Sequence, residues 1–70
     1  MNRIPVDSSN IASIGYDQDR ALLEIEFNNG RIYEYYDVPQ YEYDQLMAAE
    51  SHGSYANENI YDRYKQQRTA

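Results

Sequence analysis

A chain of 70 residues with a net charge of −6 and no cysteine holds one domain and a small core. It excludes a disulfide framework. With His52 as its single histidine, it also excludes a His/Cys metal centre within one chain. MNRIPVDSSN lacks the apolar run of a signal peptide, and no stretch reaches the ~18 apolar residues of a membrane span. A cytoplasmic, single-domain protein over residues 1–70 is expected, with a structured core from about 6 to 64 and a frayed tail over 65–70.

Taken in chain order, Asp7-Ser8-Ser9-Asn10 reads as a turn. Residues 11–16 alternate, with Ala12, Ile14 and Tyr16 on one face of a strand. Asp17-Gln18-Asp19-Arg20 is a second turn. Residues 21–27 place Leu23, Ile25 and Phe27 on one face, and Leu22, Glu24 and Glu26 on the other. Asn28-Asn29-Gly30 is a hairpin signal, since glycine takes positive φ without steric cost. Residues 31–37 form the next strand, with Tyr33 and Tyr35 sharing a face. A three-residue loop with Gly30 as the bulge residue sets Ile25 opposite Tyr33 and Leu23 opposite Tyr35, which keeps Glu34 out of the core. It also sets Glu24 opposite Glu34, at a cost of some tenths of a kcal/mol. On the first hairpin, pairing Tyr16 with Ala21 puts Ile14 opposite Leu23 and Ala12 opposite Ile25.

Val38-Pro39 ends the strand. The stripe Tyr43, Leu46 and Met47 predicts a helix over 39–49 lying on the apolar sheet face. Ser51 suits the N-cap of a second helix. In that helix Ala56, Ile60 and Tyr64 recur, with Asn57 or Asn59 as possible breaks. The expected fold is α+β: a three-stranded antiparallel meander followed by two or three short helices packed on one sheet face. Nine of the residues are tyrosines, so the core must be built partly from their rings.

The ordered set Ser8-Ser9-Asn10-Ile11, Ile14-Gly15-Tyr16-Asp17, Leu23-x-Ile25-x-Phe27, Gly30, Tyr33-x-Tyr35, Val38-Pro39, Leu46, Ala49-x-Ser51-x-Gly53-x-Tyr55, Ile60 and Tyr64 resembles the KTSC domain. That small family occurs at the C-terminus of some lysyl-tRNA synthetases and as stand-alone bacterial and phage proteins. The resemblance spans residues 6–64 and implies an RNA-related role. The chain departs from the family pattern at His52, Ala56 and Tyr61. Those departures remove positive charge or an aromatic ring.

Residues 1–61 carry a balance of −8 and residues 62–70 a balance of +2. The acidic body repels phosphate backbones and anionic membranes and suits a basic partner. Ser51 and His52 are adjacent and cannot face each other as nucleophile and base. No glycine loop cradles phosphate, and Glu24, Glu26 and Glu34 lie on a face where nothing desolvates them. Neither a catalytic group nor a cofactor is expected. The reading is a non-catalytic binding module, monomeric or weakly dimeric, that takes an unidentified, basic protein through an acidic sheet face made of Leu22, Glu24, Glu26, Ile32, Glu34 and Tyr36. The alternative is weak RNA binding through Tyr61, Arg63, Tyr64, Lys65 and Arg68. Tyr33-x-Tyr35 suits base stacking if its rings reach the surface, but the register above turns both toward the core.

Overall fold

The computed structural model describes residues 1–70. Five strands cross one antiparallel sheet in chain order: β1 (Ile4–Pro5), β2 (Ile11–Asp17), β3 (Leu22–Phe27), β4 (Ile32–Tyr35) and β5 (Gln66–Arg68). Two helices, α1 (Gln40–Ala48) and α2 (His52–Asn59), fill the connection between β4 and β5. The fold is α+β with five strands where the sequence predicts three. The three central strands are those read from alternation. The added pieces at each edge are short and exposed, so no apolar pattern announces them.

The β3–β4 hairpin has the predicted register, with Leu23 opposite Tyr35, Ile25 opposite Tyr33 and Glu24 opposite Glu34. The Phe27 amide donates to the Arg31 carbonyl at 2.8 Å and the Gly30 amide to the Phe27 carbonyl at 2.9 Å. Gly30 sits at φ 91°, and a Cβ built there meets nothing within 4 Å. Gly30→Ala therefore isolates the backbone term. It is expected to lower stability by about 1 kcal/mol, read as a shift in the urea midpoint with an unchanged m-value.

The first hairpin differs from expectation. Tyr16 pairs with Leu23 and Ile14 with Ile25, a slip of two residues. Asp17 Oδ1 accepts from the Asp19 and Arg20 amides at 3.1 and 3.4 Å, and Ala21 takes φ 50°. The aspartate thus builds a longer turn than a tight hairpin. Because the slip is even, every side chain keeps its face. A bulge between Ile11 and Ser13 then turns Ile11, not Ala12, inward. This buries the larger side chain.

One face is dry. Ile11, Ile14, Leu23, Ile25 and Tyr35 of the sheet meet Val38, Leu46 of α1, Ala56 of α2 and Ile60 in a single cluster. Ser51 caps α2, its Oγ accepting from the Ser54 amide at 3.2 Å. The helix ends at Asn59, one of the two expected breaks, and does not continue to Tyr64.

Residues 65–70, expected to fray, are paired instead. Arg68, Gln67 and Gln66 lie opposite Tyr33, Glu34 and Tyr35. The Tyr36 amide donates to the Lys65 carbonyl at 2.9 Å, Thr69 to Ile32 at 2.8 Å and Ile32 to Ala70 at 3.1 Å. All three β5 side chains are exposed, so the strand is held by backbone bonds and two exposed side-chain bonds, from Gln66 Nε2 to the Tyr61 carbonyl at 2.6 Å and from the Tyr36 hydroxyl to Gln67 Oε1 at 3.2 Å. Ordering a residue costs about 1–2 kcal/mol of backbone entropy, and an exposed bond returns about 1 kcal/mol. The two nearly cancel.

Candidate functional site

The helices cover the β2–β3 half of the dry face, where Tyr43 of α1 stacks on Tyr16 at 4.9 Å. They do not reach the hairpin end. There Phe27 closes β3, and Arg31, Tyr33 and Tyr35 follow on the same side of β4. The chain turns sharply after α2, with the Ile60 and Tyr61 amides both donating to the Ala56 carbonyl. This swings the Tyr61 ring against Phe27 at 5.9 Å and Tyr35 at 6.1 Å. Tyr33 meets Phe27 edge-on at 5.8 Å and lies 6.4 Å from Tyr35. Four rings thus form a closed circuit around a shallow cleft of about 300 Å³, lined also by Asn29, Arg31 and Gln66. Past Phe27 and Tyr61 it continues into a depression of about 360 Å³ edged by Ser9, Asn10 and Asn28.

Outside the cleft, four of the six tyrosine hydroxyls bond within the protein, Tyr41 and Tyr43 being the exceptions. Tyr16 donates to the Val38 carbonyl at 2.5 Å, Tyr36 to Glu34 at 3.2 Å, Tyr64 to Glu42 at 2.9 Å, and Tyr55 to Glu42 and to Gln45. Tyr33, Tyr35 and Tyr61 have no protein partner for theirs. No buried polar side-chain atom lacks a partner, so each of these three hydroxyls reaches solvent, even that of Tyr35, whose residue is only 2% exposed. Burial, and after it the neighbouring Tyr61 and Tyr33, pushes the Tyr35 phenol upward, and burial does the same to Tyr61. Both remain neutral donors at physiological pH. No carboxylate lines the cleft. Arg31 makes no ion pair, and Arg68, opposite Tyr33 on the same face, binds only the Ala70 carbonyl. In a chain of net charge −6, this corner is locally cationic.

The sheet's other face is less open than the sequence suggests. Leu22, expected at its rim, is 4% exposed. Arg3, brought alongside by β1, places Nη1 2.6 Å from Glu24, whose side chain is 16% exposed, and Nε 4.0 Å from Glu26. Glu26 also accepts from Ser13 Oγ at 2.8 Å. Met1, Asn2 and Arg3 press so closely on Gly15 that a Cβ there would meet all three within 3.1 Å. Ile32, Glu34 and Tyr36 are half-buried. Five of the six residues of the acidic face are therefore buried or engaged internally, since the Tyr36 hydroxyl also donates to Glu34.

The alternative set divides. Tyr61 lines the cleft, and Arg68 lies beside it, opposite Tyr33. Tyr64 and Arg63 turn instead to Glu42, 3% exposed in the first turn of α1, which also accepts from Tyr55. Lys65 contributes its carbonyl to β4. His52 opens α2 as expected, but it is half-buried, with its Nδ1–H donating to the Leu46 carbonyl at 2.8 Å. Phe27 and Arg31 escape sequence reading as site residues. Both flank the Asn28-Asn29-Gly30 turn, and that adjacency was the available signal.

A family model for the KTSC domain matches residues 7–64. The chain is similar to a protein of Tsukamurella paurometabola, 41% identical over 61 residues that cover 87% of this chain and 91% of the relative. It is also similar to a lysine–tRNA ligase of Nostoc punctiforme, 36% identical over 59 residues that make up 84% of this chain and 10% of the ligase. A crystal structure of a KTSC domain protein from Yersinia pestis superimposes with a TM-score of 0.93 at 37% identity, covering 99% of this chain and 97% of that one.

Proposed function

The chain belongs to the KTSC domain family, and from that premise we propose that it is a non-catalytic binding module that takes unpaired RNA in the aromatic cleft. One observation carries the reading. Three phenols without internal hydrogen bonds and an unpaired guanidinium converge on a cavity that no carboxylate lines. A nucleobase offers a flat face to Phe27, Tyr33 and Tyr61 and polar edges to the hydroxyls. A phosphate beside it suits Arg31 and Arg68. Similarity to part of a tRNA ligase points the same way. The acidic sheet face is the weaker candidate surface, because Arg3 already neutralises part of it.

Two or three phosphate contacts predict weak binding with a log–log salt slope of about −1 to −2. Stacking adds about 1–3 kcal/mol per base. The test is a fluorescence-anisotropy titration with a labelled uridine hexanucleotide at low salt. Arg31→Glu, at an exposed position, and Tyr61→Leu are each expected to weaken binding about tenfold. The pair Glu24→Lys with Glu34→Lys is expected to preserve it, and a duplex of the same length is expected to compete poorly. Binding abolished by the glutamate pair but untouched by Arg31→Glu would move the site to the other face and return a protein partner to first place.

A further inference from the structure

Segment 65–70 borders the cleft through Gln66, and like β1 it is a short, exposed edge of the sheet. Gln66 lines the cavity and its Nε2 donates to the Tyr61 carbonyl at 2.6 Å. Arg68 projects from the same face, opposite Tyr33. Both are exposed, as is every residue from 65 to 70. The segment buries no apolar side chain, and it lies outside residues 7–64 that match the family. Its hold rests on backbone bonds and on two exposed side-chain bonds, from the Tyr36 hydroxyl to Gln67 and from the Thr69 hydroxyl to the Ile32 carbonyl, all of which water replaces readily. Without it, β4 is an open edge with Tyr33 and Tyr35 bordering it.

We infer that segment 65–70 is a strap that seats on and leaves β4 while the rest of the protein stays folded, and that it completes the cleft when seated. The second half rests on the cleft's being the RNA site; the first does not. A ligand lying between the rings and the strap touches Gln66 and Arg68 only in the closed form. It therefore binds that form better and draws the strap shut. Strap closure is then a specificity device, because an extended single strand threads between wall and rings where a duplex does not fit.

Amide hydrogen exchange on the full chain tests the motion without any ligand. Thr69, which donates to Ile32, and Ile32 and Tyr36, which donate to strap carbonyls, are expected to exchange at least tenfold faster than Leu23 and Ile25 of the central strand. Equal rates would overturn the strap. Gln67→Pro tests the wall. Gln67 pairs with Glu34, and proline brings no amide hydrogen to that ladder. The variant is expected to keep the wild-type circular dichroism spectrum and to bind the labelled uridine hexanucleotide at least fivefold more weakly. Unchanged affinity would overturn the wall. Failure of the wild-type chain to bind the oligonucleotide at all would remove the RNA reading and the wall with it, while the exchange rates still decide whether the strap opens.

Discussion

Glu42→Ala is expected to lower stability by about 2–3 kcal/mol, half or more of what a single core of this size supplies. Glu42 is 3% exposed, yet its carboxylate accepts from both Tyr55 in α2 and Tyr64 beyond it, and only the Tyr55 hydroxyl has a second acceptor on α1, the exposed Gln45. Each bond from a phenol to a carboxylate is worth roughly 1.5–3 kcal/mol, less what the freed phenols regain from water. Arg63, 3.9 Å away with its side chain 65% exposed, adds little. Tyr64→Phe and Tyr55→Phe each leave the buried carboxylate one donor short and are expected to cost about 1–2 kcal/mol. Replacing all three together, Glu42→Met with both Tyr→Phe changes, is expected to cost less than the single alanine, because no polar group is then stranded. Urea midpoints across this set give the measurement. A sum of single effects that matches the triple would show the three groups to be independent.

The same cluster sets an alkaline limit. Tyr55 and Tyr64 are both pushed from 10.0 to about 12, first by burial and then by hydrogen bonding to Glu42 and by its charge. The unfolded chain releases these protons near pH 10, so the folded state binds more protons above that point. Their contribution is intact below pH 10 and is lost as pH rises toward 12. Phenolate absorbance followed together with circular dichroism is expected to show ionisation and unfolding arriving together in that window. In Glu42→Gln the onset moves to lower pH, since burial then acts on the phenols without the carboxylate.

What could be read in advance divides along physical lines. The β3–β4 register was legible because Asn28-Asn29-Gly30 names its own turn and because a one-residue slip would have buried Glu34. The dry face followed, and the burial of Leu23, Ile25 and Tyr35 agrees with it. Alternation gave Ala12 in place of Ile11, since a bulge responds to the volume the helices must meet, which no local period encodes. β1 and β5 were invisible for a related reason. Ile4–Pro5 and Gln66–Arg68 have no strand pattern, and they become strands because an edge awaits them. The cleft needed three such facts at once: where α2 stops, where Tyr61 swings, and that the helices fall short of Phe27. Alternation places Tyr33 on the core side and the charge pattern places Tyr61 on the basic C-terminal segment, so nothing local joins the two rings. Glu42 looked like an ordinary first-turn acid, and only the packing of Tyr55 and Tyr64 around it shows otherwise.

Ile25→Ala is expected to bring the protein to the edge of unfolding at room temperature. Ile25 is fully buried in the central strand, opposite Ile14 on one side and Tyr33 on the other. Removing its side chain beyond Cβ from a rigid sheet costs about 2–5 kcal/mol, against a total of about 3–5 kcal/mol. Ile32→Ala is the control. It sits in the neighbouring strand on the opposite face, across from Glu26, and is half-buried. Its cost is expected to be about 1 kcal/mol or less. Far-ultraviolet circular dichroism in a urea series separates the two, and equal losses would mean that the sheet has no single dry side. Ile25→Val, at about 0.5–1.5 kcal/mol, keeps the fold while loosening the support directly across the sheet from Tyr33. It is expected to retain oligonucleotide binding with a faster off-rate, because Tyr33 reaches the cleft from a position that Ile25 holds in place.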